Sequence, residues 1–214
     1  MAIHALFPTL LYHAPLAKPA DRRFAQTLAD ECRALAASDV AGQRWSARHY
    51  LGGYTSYGSL DRLHLVSSVF AALRKRLDRH ACAFAGRLHY DLAGRSLAMT
   101  DCWVNVMPAG VVHSLHLHPT SFISGTYYVA VPQGAGALKV EDPRLSRMMA
   151  APPRTAHVSM PARSGDVILF ESWLRHEVPS ARYDGERISI SFNYGWAPSA
   201  ATKSSRRRQH VDRK

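Results

Sequence analysis

From about residue 96 the chain breaks into short segments: "LAMTDCWVNVMP", "SGTYYVAVP", "GALKVED", "AHVSMPA", "GDVILFES" and "RISISFNYGW". Each is rich in β-branched or aromatic residues, and Gly, Pro or Asp separates it from the next, as strands and turns require. The N-terminal part has another texture. Over 19–38, "PADRRFAQTLADECRALAAS" sets Phe24, Leu28, Cys32 and Leu35 at helical spacing, with Asp21 placed to cap the start. A Gly/Tyr/Ser-rich loop, "YLGGYTSYGSL", follows, and Leu63, Val66, Phe70, Leu73 and Leu77 mark a second helix over roughly 61–85. Helices first and close-spaced strands after them predict an α+β protein, an antiparallel sandwich or barrel with the helices packed on one outer face. Strands at this spacing favour a jelly roll over an immunoglobulin sandwich, whose Cys…Trp…Cys pattern is missing.

The chain's 214 residues suit one domain, expected over 1–202, with a helical part at about 19–85 and a jelly-roll core at about 96–197. The segment 203–214, "KSSRRRQHVDRK", carries a net +5 of the formal +11, so it reads as a basic, disordered tail and leaves +6 spread over the rest. Without an aromatic-and-basic stripe or zinc-finger spacing, that charge does not point to sequence-specific nucleic-acid recognition. No apolar run approaches a membrane span, and "MAIHALFPTLLYHAPL" lacks the parts of a secretory leader. Cys32, Cys82 and Cys102 are odd in number and widely spaced, which suits buried free thiols in a reducing, cytoplasmic compartment. The oligomeric state stays open, a homodimer included.

The stretch "HSLHLHPTSFISGTYYVAVP" places His113, His116 and His118 within six positions. With 12 histidines in the chain, roughly one His-x-His pair is expected by chance, so the pair alone is weak. In a strand, residues two apart face the same way, so His116 and His118 point together, while parity turns His113 outward. A third metal ligand must come from elsewhere, and His176, after the strand "GDVILF", is the best placed. Three ligands on one face leave open positions for other ligands, as non-haem iron oxygenases require. In "RISISFN", Arg187, Ser189, Ser191 and Asn193 alternate with Ile188, Ile190 and Phe192. A polar face of this kind beside a metal suits a bound dianion, since Arg can grip a carboxylate with two hydrogen bonds. Asn105 shares a face with Trp103 and Met107 and is expected in the pocket. Trp103 and Trp173 read as core residues. Asp142 and Arg144 in "EDPR" fit a structural turn or a substrate contact, and the loop at 50–60 is a candidate lid.

Taken in order, "LFPTLLYHAPL", "WVNVMPAG", "HLHPTSFISGTYYVAVP", "EDPR", "GDVILFESWLRHEVP" and "ERISISFN" resemble the iron(II)- and 2-oxoglutarate-dependent oxygenases, in particular a bacterial branch of them. The resemblance implies a double-stranded β-helix core, Fe(II) as cofactor and 2-oxoglutarate as co-substrate. It also implies oxidation, typically hydroxylation, of an amino acid, peptide or small metabolite. His116 and His176 match the two histidines of the family's metal motif, Arg187 and Ser189 match its Arg-x-Ser, and Tyr128 matches a strand tyrosine that contacts the co-substrate. His118 departs from the pattern, standing where the superfamily usually has a carboxylate. Three histidines would leave the metal more positive by one charge, and three imidazoles also suit zinc or copper. Two other readings stay open. One is a three-histidine cupin-type dioxygenase that uses no keto acid; the other is a non-enzymatic binding module with a degenerate site.

Overall fold

The computed structural model describes residues 1–16, 21–90, 95–150 and 155–197; the 203–214 segment lies outside them. Among the described residues ten strands form two antiparallel sheets. The larger sheet runs in the order β1 (Leu11–Pro15), β8 (Asp166–Glu171), β5 (Ile123–Ala130), β10 (Glu186–Trp196), β3 (Leu97–Pro108) and β2 (Tyr54–Thr55). The smaller has the order β4 (His113–His116), β9 (His176–Val178), β6 (Leu138–Glu141) and β7 (His157–Met160). From β3 the chain crosses to the small sheet for β4, returns for β5, and crosses again for β6 and β7. It then returns for β8, crosses for β9 and returns for β10, which is the winding of a jelly roll.

Strand alternation separates two cores. On β10, Ile188, Ile190, Phe192 and Tyr194 face outward and pack with Val104 and Val106 of β3, Tyr127 and Val129 of β5, and Val167 and Leu169 of β8. The helices α1 (Arg22–Ser38) and α4 (Ser68–Arg87) cover this layer with Leu28, Cys32, Phe70, Leu73, Leu77 and Phe84. Residues of the opposite parity face inward: Met107, Tyr128, Ile168 and Phe170 meet Leu138, Val140 and Val178 of the small sheet. The predicted helices on one outer face are therefore present, and α1 and α4 present a stripe to the sheet because their apolar residues recur at helical spacing.

Several local expectations are corrected. Asp21 stands at the start of α1 without a side-chain capping bond, and its carboxylate pairs instead with Arg76 at 2.9 Å. The helix expected over 61–85 is interrupted at Ser67, whose backbone is extended (φ −122°, ψ 133°), giving the short α3 (Leu63–Val66) and then α4. A further helix, α2 (Val40–His49), is capped by the Asp39 carboxylate, which accepts from Gly42 N at 3.0 Å. Trp173 is not a core residue: it sits in the turn after β8, 46% exposed, while Leu174 fills the interior. Cys32 and Cys102 are buried as expected, but Cys82 is exposed. Among the described residues no helix is long and apolar enough to cross a membrane.

Gly125 on β5 shows how closely the large sheet is packed. A Cβ there would lie 2.6 Å from Leu169 Cδ2, 2.7 Å from the Ile168 carbonyl oxygen and 2.8 Å from Phe192 Cε2. A Gly→Ala change in an accommodating strand position stabilises by reducing the freedom of the unfolded chain. Here the overpacking wins, so Gly125→Ala should destabilise by about 1–3 kcal/mol. Urea unfolding checks this: the midpoint should fall at constant m-value, and an unchanged midpoint would show that the backbone here is slack.

Candidate functional site

His116, His118 and His176 come together at the mouth of the jelly roll, with one nitrogen of each within 4.8 Å of the others. The small sheet sets two of them opposite each other, because β4 and β9 pair His116 with His176. His118 lies beyond the end of β4 and is held by its backbone N–H, which donates to the Ser172 carbonyl at 2.9 Å. His116 Nδ1 donates to the Ser114 carbonyl at 2.6 Å, and His176 Nδ1 to the Leu174 carbonyl at 2.9 Å. These carbonyls fix the proton on Nδ1 and turn each Nε2 lone pair inward, the support that metal-binding histidines usually have. His118 Nε2 faces His176 Nε2 across 3.3 Å. Burial, the first cause in both cases, lowers the His118 pKa to about 4 and the His176 pKa to about 3, with His116 opposing protonation of each. At neutral pH the lone pairs are therefore free for a metal.

His113 is a correction. Between the pairs His113–Val178 and His116–His176, three steps along β4 oppose two along β9, so the strand carries a bulge. The extra residue cancels the parity that would turn His113 outward. Its ring stacks on His116 with centroids 4.5 Å apart and planes at 11°, and it lines the same cavity as the triad. It does not belong to the cluster of converging nitrogens.

Deeper in the cavity the polar row of β10 takes over. Arg187, Ser189, Ser191 and Asn193 are all buried, and the first three line the cavity with Asn105, which sits opposite Ser189 across the β3–β10 ladder. Arg187 is 2% exposed. Its guanidinium reaches Met107 Sδ at 3.3 Å and Ser189 Oγ at 3.4 Å and lies 5.2 Å from the centre of the Tyr128 ring. Among the described residues no carboxylate forms an ion pair with it, and its Nε has no hydrogen-bond partner. Three more polar atoms of this interior are buried and unpartnered: Asn105 Oδ1, Tyr128 Oη and Tyr50 Oη. Asn105 Nδ2 donates to Ser191 Oγ at 3.0 Å, which fixes the amide's orientation. Burial raises the pKa of both tyrosines while nearby Arg187 lowers it, so both hydroxyls keep their protons at neutral pH and can donate.

Tyr50 escaped the sequence reading. It follows α2 and enters the inner core beside Tyr128 and Val111, a placement that "YLGGY" does not announce. The 50–60 loop is anchored to the large sheet at its centre. Tyr54 and Thr55 pair with β3, and Ser56 N donates to the Val104 carbonyl at 3.0 Å. Asp142 and Arg144 lie away from the triad, in an exposed turn closed by their own ion pair at 2.7 Å.

Alanine at His116, His118 or His176 is expected to reduce iron(II) content to near zero, whereas His113→Ala should retain it. His118→Asp keeps a donor and should still load; His118→Leu should not. Metal per chain measured by plasma mass spectrometry decides, and full iron content in His118→Leu would exclude the triad as the metal site.

Residues 101–193 match the family model described as "Putative 2OG-Fe(II) oxygenase". No curated protein matches the chain in sequence. Among solved structures, a Pseudomonas putida prolyl-4-hydroxylase superposes with a TM-score of 0.60 at 18% identity, covering 89% of this chain and 94% of its own. The non-haem α-ketoglutarate-dependent epimerase SnoN from nogalamycin biosynthesis gives 0.64 at 17% identity, over 87% and 78%. HygX from Streptomyces hygroscopicus, with nickel and 2-oxoglutarate bound, gives 0.60 at 15% identity, over 87% and 83%. These likenesses establish the shared fold. The segment matched by the family model holds the three converging histidines and the Arg-x-Ser strand.

Proposed function

We propose that this chain is an iron(II)- and 2-oxoglutarate-dependent oxygenase that oxidises, typically by hydroxylation, a small molecule or a peptide side chain. The observation that carries the reading is Arg187, a buried cation without a counter-anion among the described residues. Arginine keeps its charge at all pH values where proteins fold, and an unpaired charge in an interior is costly. A carboxylate ligand would remove that cost. The unpartnered Tyr50, Tyr128, Asn105 and Arg187 atoms describe a cradle with three donors and one acceptor, which fits the distal carboxylate and neighbouring polar atoms of a keto diacid.

Charge balance supports the same conclusion. Three neutral imidazoles bring no negative charge, so a divalent metal would keep its full charge, and Arg187 adds another. A dianion spanning both is the natural complement, and it also offsets the missing carboxylate at position 118. When bound, the iron and keto acid supply the oxidation: 2-oxoglutarate and O₂ become succinate and CO₂ as one oxygen atom enters the substrate. The chain's own part is to hold three Nε2 lone pairs on one point, grip the far carboxylate with Arg187 and Ser189, and keep water from the buried end. A cupin-type dioxygenase without a keto acid would leave Arg187 unpaired, as would a degenerate binding module.

Arg187→Ala should weaken 2-oxoglutarate binding by about 2–5 kcal/mol, tens- to thousands-fold, with iron content intact. Tyr50→Phe removes one donor and should cost about 0.5–1.5 kcal/mol. Calorimetric titration with 2-oxoglutarate tests both, and wild-type affinity in Arg187→Ala would refute the proposal.

A further inference from the structure

A second cavity, of about 460 Å³, opens beside the triad, sharing Trp103, His113, His116 and His118 with the first, and is large enough to receive a small molecule. Its wall is a continuous run of rings. His49 lies 4.6 Å from Trp45 by ring centroid, Trp45 is 6.0 Å from Tyr57, Tyr57 is 5.2 Å from Trp103, and Trp103 is 5.7 Å from His118. The run thus extends from the rim, where Tyr57 is half exposed, to a metal-triad residue. Trp45 is seated on Gly58, where a Cβ would come within 2.2 Å of its ring, so its plane is set by the backbone beneath it. The rest of the lining is Tyr50, Val112, Leu117, Pro119, further histidines and neutral polar groups from Thr55, Ser114, Thr120 and Asn193. Among the described residues the wall holds no Asp, Glu, Lys or Arg.

A free amino acid needs a partner for its ammonium and its carboxylate, and a polycation needs carboxylates; this wall offers neither. Aromatic walls with scattered neutral hydroxyl and amide groups suit flat or ring-shaped ligands that stack on one side and hydrogen-bond at the edge. We propose that the substrate presents an uncharged ring, aromatic or saccharide, that stacks along the Trp45–Tyr57–Trp103 wall and brings a C–H bond at its edge toward the triad. The inference rests on the oxygenase reading for what happens at that bond, but the recognition it describes is a property of the cleft itself.

Three phenols of equal ring size and different charge isolate the claim: N-acetyl-L-tyrosinamide (uncharged), tyramine (cationic) and 4-hydroxyphenylacetate (anionic), with methyl β-glucoside as an uncharged saccharide. Calorimetry on the full chain, loaded with zinc and 2-oxoglutarate so that neither site competes for the probes, should show an uncharged ring binding at least about tenfold more tightly than both charged phenols. Preference for the glucoside or for the tyrosinamide tells which kind of ring is favoured, and either supports the inference. Tyr57→Ala, at a half-exposed position, and Trp45→Phe, which keeps a ring over Gly58, should each weaken that binding about threefold or more. Charged phenols binding as tightly as the uncharged rings, no binding by any probe, or unaltered binding in both variants would overturn it. Failure of 2-oxoglutarate to bind, with ring selectivity intact, would instead overturn the oxygenase reading and leave the cleft assignment standing.

Discussion

Among the described residues, one buried charge without a counter-anion organises the interior. Arg187 sits on β10, the strand paired with both β3 and β5 in the large sheet, so hydrogen-bond ladders on both sides hold its backbone. Those ladders are what allow the chain to keep a guanidinium away from water without a carboxylate beside it. The cost of such burial is borne by the packing of the same strand's other face, where Ile188, Ile190 and Phe192 lie fully buried against the helices. One strand thus joins a fully buried apolar face to a buried cation, and two-residue periodicity makes that possible.

The two sheets divide the work. The converging histidines come from the small sheet and from the segment just after β4, while the buried polar row around Arg187 comes from the large one. The inner core of Met107, Tyr128, Leu138, Ile168 and Phe170 sets the separation between them, so it also sets the distance from triad to Arg187. The helical part supplies the third side. Trp45 and His49 of α2 and Tyr50 just after it line the second cavity, so the helical part reaches the site as well as covering the outer face.

Much of this was legible in the sequence because it depends on local periodicity. The alternation in "RISISFN" separates the buried polar row from the apolar one, and the segment boundaries of β3, β8 and β10 follow from Gly, Pro and Asp punctuation. The His116–His118–His176 grouping needed both the two-residue period and the family resemblance. What escaped depends on contacts between distant segments or on broken periods. His113 was misplaced because the bulge in β4 adds a residue, and Trp173 because a turn points it outward. Tyr50 and the Trp45 wall could not be seen because α2 carries few apolar residues and its place over the site is set by Asp39, which receives hydrogen bonds from both Gly42 and Tyr54.

The most direct test is a crystal structure of the full chain prepared anaerobically with iron(II) and 2-oxoglutarate. One metal ion should lie about 2.0–2.3 Å from Nε2 of His116, His118 and His176, with the distal carboxylate of the keto acid against the Arg187 guanidinium. Iron held by other residues, or 2-oxoglutarate bound away from Arg187, would contradict it.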